Sequence, residues 1–422
     1  MTIDINVQFF SHLNGLVLGN NWGDLIRVLD KALVTGIDFT QITAASIDEQ
    51  GDVHITLYST HNAMLLQVVE LMGFAPSSLN QKYRIKGVPN ATQLILKPKT
   101  DIAERSITTA GAGKLASLGY DIIFRDTGDV KRVYRAKNPT TQHPFIRVDE
   151  TISDGTNTYN SNYAKSAMVG LLKSMEHIDD YENPNVLQLP MSRTNLKKNW
   201  ALSGSGLSNN RGWSKWYWAC SQGVPDGPFE MDTPSAGNRS FTLIGDNDAF
   251  YLLRSMINSN TNNKLLSGCG LFNSTQDAGV CPNWFLMATN KITNAGSTNT
   301  GFASIEGGTP LVFDPTKSNI MVTRYDTSNP VQDHLVATPV IPDLNTGYSN
   351  IYSGVLIGAL EIPLTDTQKK LRGALKHVLY SGNSRGAVLS TTPIISDNSM
   401  FLTDGIWVNS GQGSIYFYLG EL

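Results

Sequence analysis

The chain has 422 residues and a mass of 46.1 kDa, enough for about two to three domains with sizeable cores. Charged residues make up 16% of it, against roughly 25% in ordinary soluble domains, so the polar surface must come from Asn, Ser, Thr and Gly, which neighbours can cover with little ion desolvation. A net charge of −3 leaves no basic excess for phosphates, which argues against direct nucleic-acid binding, and no uninterrupted run of 18 apolar residues offers a membrane span.

The opening Met1-Thr2-Ile3-Asp4-Ile5 has no positive start leading into an apolar stretch, so no secretory leader is expected. Leu25, Val28, Leu29, Ala32 and Leu33 then recur at helical spacing. Asn20 or Asn21 is placed to cap that helix, and Gly36 to stop it. From about Ile47 the period changes to two. Val53, Ile55 and Leu57 alternate with His54, Thr56 and Tyr58, as on a strand with one buried face. Leu65 to Leu71 is a second β-like run, of a length that also admits a helix; Tyr83 to Val88 and Leu94 to Leu96 continue the β pattern, with a turn at Pro89-Asn90. The remainder is a series of short apolar runs between clusters of Gly, Asn, Ser and Asp. Thr127-Gly128-Asp129 reads as a hairpin turn. Asn162 to Lys173 reads as a short helix around Ala167 and Leu171. Thr367 to Tyr380 is open between helix and strand: Leu371, Ala374, Leu375 and Val378 have helical spacing, but Gly373 costs a helix about 1 kcal/mol.

The expected class is therefore mainly β. A short N-terminal helix in segment 1–42 precedes a small β-module of four or five strands at 43–100, and a large β-sandwich-like domain with few helices fills 101–422.

Motifs that would mark chemistry fail on spacing. Gly111-Ala112-Gly113-Lys114 lacks the phosphate-loop spacing, and Leu115 stands where Ser or Thr would hold magnesium, so a Gly-rich turn is expected. Asp246-Asn247-Asp248 lacks the remainder of a calcium loop and reads as a turn between Ile244 and Phe250, with a metal on its three oxygen-bearing side chains as the alternative. The histidines form no metal-binding pair at helical spacing, and no serine-hydrolase elbow occurs. Glu176-His177-Ile178-Asp179-Asp180 reads as a solvated acidic turn. Three cysteines, Cys220, Cys269 and Cys281, suit a reducing compartment. Cys269 and Cys281 are spaced to meet across a hairpin, with buried free thiols as the simpler reading. No catalytic residue, cofactor or metal site is expected.

Several stretches read together in order: Asp24 to Gly36, the module from His61 to Leu96, Val130 to Pro139, Phe145 to Thr151, Arg239 to Leu253 and Leu371 to Tyr380. They resemble a family of tailed-phage and prophage virion proteins. In that family a helix and a small β-module precede strands of the "VYRS.D" and "F.LRVDDT" kind and a late "LRG.LPGL" segment. This chain has Ala136 in place of the Ser, Asp149-Glu150 in place of the two Asp, and Ala374-Leu375-Lys376-His377 around the position of the Pro-Gly. The resemblance implies a component of the tail, neck, collar, baseplate or fibre. It would be made in the host cytoplasm and assembled with copies of itself, on three- or six-fold rules, and with other phage proteins.

Two groups of side chains stand out within that frame. Arg132, Arg135 or Arg147 opposite Asp149 or Glu150 would form structural ion pairs across adjacent strands, at roughly 0.2–1 kcal/mol each. Trp213, Trp216 and Trp218 are the densest aromatic cluster. They would fill a core or a subunit interface, or else stack on sugars. The expected function is a non-enzymatic structural subunit. A receptor- or glycan-binding module is the alternative, with a polysaccharide-degrading tail enzyme behind it.

Overall fold

The computed structural model describes residues 3–205, 209–221, 232–258, 264–275, 282–290, 320–324, 331–340, 360–380, 391–408 and 411–422. Cys281, the run Leu311 to Phe313 and most of Gly354 to Leu360 lie outside these. The fold is mainly β, with one short α-helix near the N-terminus and large antiparallel sheets.

The helix is Asp24–Leu29, and it widens into a π-helical stretch, Asp30–Thr35. Gly36 ends it, donating its N–H to the Lys31 carbonyl at 2.8 Å. A side chain at Gly36 would put its Cβ 2.1 Å from the Leu115 carbonyl oxygen, and φ there is +72°, so only glycine fits. The N-cap is Gly23, neither Asn20 nor Asn21. Its side-chain partner comes from far away: Glu150 accepts the N–H groups of Gly23 and of Ile26, the latter at 3.1 Å. Leu25, Ile26, Val28, Leu29, Ala32 and Leu33 are all buried in one core with residues from three sheets.

The first of those sheets runs Ile37–Asp38, Ala112–Leu115, Val68–Met72, Lys82–Asn90, Gln93–Pro98, Val53–Leu57, Ile42–Ile47. It has seven strands among the described residues, and it takes in one strand on either side of 43–100. Gly111 to Lys114 is thus not a turn but the entry to a strand: a Cβ on Gly111 would sit 2.1 Å from the Met72 carbonyl.

The second sheet runs Thr289–Asn290, Ser214–Ala219, Lys165–Leu172, Phe145–Asp149, Lys131–Ala136, Tyr120–Arg125, with Gln188–Leu189 beside Lys165–Leu172. The stretch expected as a helix at Asn162 to Lys173 is a strand in this sheet. Ala167, Val169 and Leu171 enter the main core while Met168 and Leu172 enter a smaller one behind it. With both faces buried, the strand has no polar alternation to betray it.

The third and largest sheet begins with Gln8–Ser11 at its edge, followed by Phe241–Gly245, Ala249–Ser255, Lys264–Leu271 and Trp284–Met287. It continues through Leu371–Tyr380 to Gly411–Glu421, Ser399–Val408 and Thr392–Ser396. Thr367 to Tyr380 is therefore resolved as strand. Phe241, Leu243, Phe250 and Leu252 face the helix and the other two sheets. Ile244, Tyr251, Leu253 and Phe285 face Met400, Leu402, Ile415 and Phe417 from the far end of the same sheet. The sheet curls over itself, sandwich-like, and the fully buried Lys264 and Asp404 bridge its two layers at 2.6 Å.

Side chains lock the edge strand to the small sheet. Gln8 donates to the Val68 and Ala116 carbonyls at 2.7 and 2.8 Å and accepts the Val68 N–H at 2.9 Å. Arg84, fully buried, donates to the carbonyls of Asp4, Val7, Leu66 and Leu419. One guanidinium thereby joins the N-terminal segment, the small sheet and the last strand.

Candidate functional site

Of the roles open to the tryptophans, a core, a subunit interface or a sugar platform, the structure fits the core. Trp216 and Trp218 alternate with Tyr217 on Ser214–Ala219 and are fully buried within this one chain. Trp216 packs edge-on to Phe250 at 5.9 Å and donates its indole N–H to the Met287 carbonyl at 2.9 Å. Trp218 packs edge-on to Trp22 at 5.8 Å. Trp213 is 9% exposed, with the Lys198 ammonium 4.3 Å above its ring. Buried rings can neither stack on a sugar nor meet a second subunit, so these are core residues.

The expected cross-strand pairs are also rearranged. Lys131 is the direct partner of Asp149, and Arg147 of Val133. Arg147 instead pairs with Asp149 along its own strand at 2.9 Å and with Asp179 at 2.7 Å, and its guanidinium lies over the adjoining rings of Tyr181 and Trp200. Arg132 reaches Asp30 on the helical stretch at 3.2 Å and Asp129 in the hairpin turn. Arg135 lies over the Phe145 ring at 4.4 Å. The acidic segment Glu176 to Asp180 is an anchor: Asp179 also takes Lys131 at 2.8 Å.

Asp246 to Asp248 forms the turn between Phe241–Gly245 and Ala249–Ser255, as its spacing predicts. Its carboxylates are occupied by the chain's own side chains. Asp248 meets His143 at 2.9 Å and Lys376 at 2.5 Å, and Asp246 meets His377 at 2.9 Å. The hydrogen bond from His143 holds Asp248 well below the usual carboxylate range, with Lys376 adding to it against the opposing effect of burial. Among the described residues no cluster has a metal-binding arrangement. Cys220 and Cys269 are buried, and burial pushes the Cys269 thiol up.

Asn247, at the tip of this turn, lines a cleft of about 650 Å³ shared with residues of the first two sheets. Lys82, Lys99, Lys114 and Lys137 line it too, against two carboxylates, Glu70 and Asp121. Strand register explains the convergence. Glu70 stands directly between Lys82 and Lys114 on its two neighbours. Lys99 follows Gln93–Pro98, hydrogen-bonded through its N–H to the Lys82 carbonyl at 3.3 Å. Lys137 follows Lys131–Ala136 and donates its N–H to Gly119 at 2.9 Å. Only Lys114 reaches Glu70, at 3.4 Å. Among the described residues no carboxylate lies within ion-pair distance of Lys82, Lys99 or Lys137. Burial lowers the Lys82 ammonium; Glu70 opposes the shift, while Lys99, Lys114 and Lys137 add to it. Nothing in the sequence flagged this cleft. Its lysines are 15 to 23 positions apart and belong to a chain of negative net charge.

No family model matches the chain, and no curated relative does. Among solved structures it pairs with the phage phi92 endosialidase at 8% identity and a TM-score of 0.15, over 92% of this chain and 51% of that one. The chain thus spans about half the length of that neighbour, and a TM-score so low is not a shared fold.

Proposed function

We propose that the chain is a structural subunit of a tailed-phage particle, a tail, neck, collar or baseplate component that works by packing against copies of itself and its neighbours and not by catalysis. The observation that carries this reading is how the buried arginines are used. Arg84, Arg132, Arg147, Arg211, Arg239 and Arg254 are fully buried. Each fastens the chain's own groups. Arg211 holds the Thr151 and Ser166 carbonyls, Arg239 those of Met256, Gly237 and Ser235, and Arg254 those of Tyr217 and Leu265. Such satisfied networks stiffen a fold. Turning charge inward, in a chain only 16% charged, leaves outer faces that a neighbour can cover cheaply in desolvation.

The ordered resemblance to phage virion proteins supports the same reading, and at His377, where the motif is not kept, the backbone is still distinctive. This residue lies in the segment where this chain departs from the family's Pro-Gly, and its φ is +60°, so the backbone there keeps a conformation that glycine adopts freely. In this reading the protein resides in the virion; a cyclic subunit contact is the default for a homo-oligomer, and the three- or six-fold rules of a tail make trimers, hexamers or dodecamers the forms to look for. Sedimentation of the purified chain, with electron microscopy, tests the assembly. Rings or closed oligomers of such symmetry are expected. A strict monomer at every accessible concentration contradicts the reading.

A further inference from the structure

The lysine-lined cleft has no role in the packing described above. Four ammonium groups converge on one concave surface of a chain whose net charge is −3, and two carboxylates offset only half of them. Clustering like charges costs free energy unless something else gains from it, and Lys82, half-buried among the other three, bears that repulsion directly. Concave surfaces of one sign concentrate ligands of the other sign. The rest of the lining is polar: Asn138 and Asn247 offer amides that can both donate and accept. At about 650 Å³ the cleft exceeds what a single small anion fills and lies in the ordinary range of ligand sites. Its one aromatic residue, Tyr120, is 3% exposed, so no ring is offered for stacking nucleobases.

We infer that this cleft binds an acidic oligosaccharide, holding carboxylate or phosphate groups on Lys82, Lys99, Lys114 and Lys137 and sugar hydroxyls on Asn138 and Asn247. The site is independent of the tryptophans and of particle membership, so the isolated chain suffices for the test. Titration calorimetry at low ionic strength would compare an oligogalacturonate, which carries carboxylates, with a phosphorylated oligomannose, a neutral maltooligosaccharide of equal length, inorganic phosphate and a short oligothymidylate. Whichever acidic sugar binds identifies the source of the charge. It should bind at least about tenfold more tightly than the neutral sugar and weaken as salt is added. The pair Lys82→Gln with Lys137→Gln should weaken it about tenfold or more, since neither lysine makes an ion pair whose loss would unfold the chain; a melting curve checks this. The corresponding Arg pair should bind within about threefold of wild type, and Lys31→Gln, outside the cleft, should change nothing. Four results would overturn the inference: neither acidic sugar binds, binding survives the Gln pair, inorganic phosphate binds as tightly as the oligosaccharide, or oligothymidylate outcompetes both sugars.

Discussion

Glu150 caps the N-terminal helix from more than 120 residues away, and it does so without contact with water. Burial raises its carboxyl from the ordinary 4.5 to about 7, although the Gly23 and Ile26 N–H groups, Arg211 and Arg27 all favour the charged form. The folded chain therefore holds this proton more tightly than the unfolded chain does. Its contribution to stability is complete below about pH 4.5 and is lost as pH rises through about 7, a difference on the order of 3 kcal/mol. Other groups titrate in the same window, so the informative quantity is the stability of Glu150→Gln relative to wild type. Denaturant titrations should show this difference shifting in favour of the variant between pH 4.5 and 7.5; a difference flat with pH refutes the assignment. Lys264 and Asp404 pose the complementary case. Asp404 also accepts from Thr242 at 2.8 Å. Removing it alone, as Asp404→Ala, strands a buried ammonium and should destabilise by about 3–5 kcal/mol. Replacing both, as Lys264→Met with Asp404→Leu, should recover most of that loss in the same denaturation assay.

At the scale of elements, the fastening of the edge strand Gln8–Ser11 is the most exposed to test. Arg84→Met leaves the carbonyls of Asp4, Val7, Leu66 and Leu419 without their donor, a loss of about 3 kcal/mol. Hydrogen exchange should rise first in residues 4–11 and in the last strand, Gly411–Glu421; exchange that rises uniformly would show that the guanidinium is no local fastener. Which elements the sequence made legible follows from their solvent exposure. Val53–Leu57 has one wet face, and its alternation was plain. Lys165–Leu172 is buried on both faces and mimicked a helix. In Leu371–Tyr380 register shifts in the pairing with Leu360–Thr365, and the positive φ of His377, break the alternation, which is why helical spacing emerged there. The tryptophan cluster was conspicuous in composition but its burial was not, since an aromatic run reads the same in a core as on a surface. The lysine cleft was invisible, because strand register and not sequence proximity assembles it.

At the scale of the whole molecule, three sheets share one core around the N-terminal helix, and the segments at Asp4 and Leu419 are both tied into it through Arg84. That construction suits a rigid block with weakly charged flanks. The central claim is that such a block is a repeated part of a phage particle. Quantitative mass spectrometry of purified particles tests it most directly. The account predicts the chain in the particle at a fixed copy number that is a multiple of three; particles that are complete and infective without it would contradict the account.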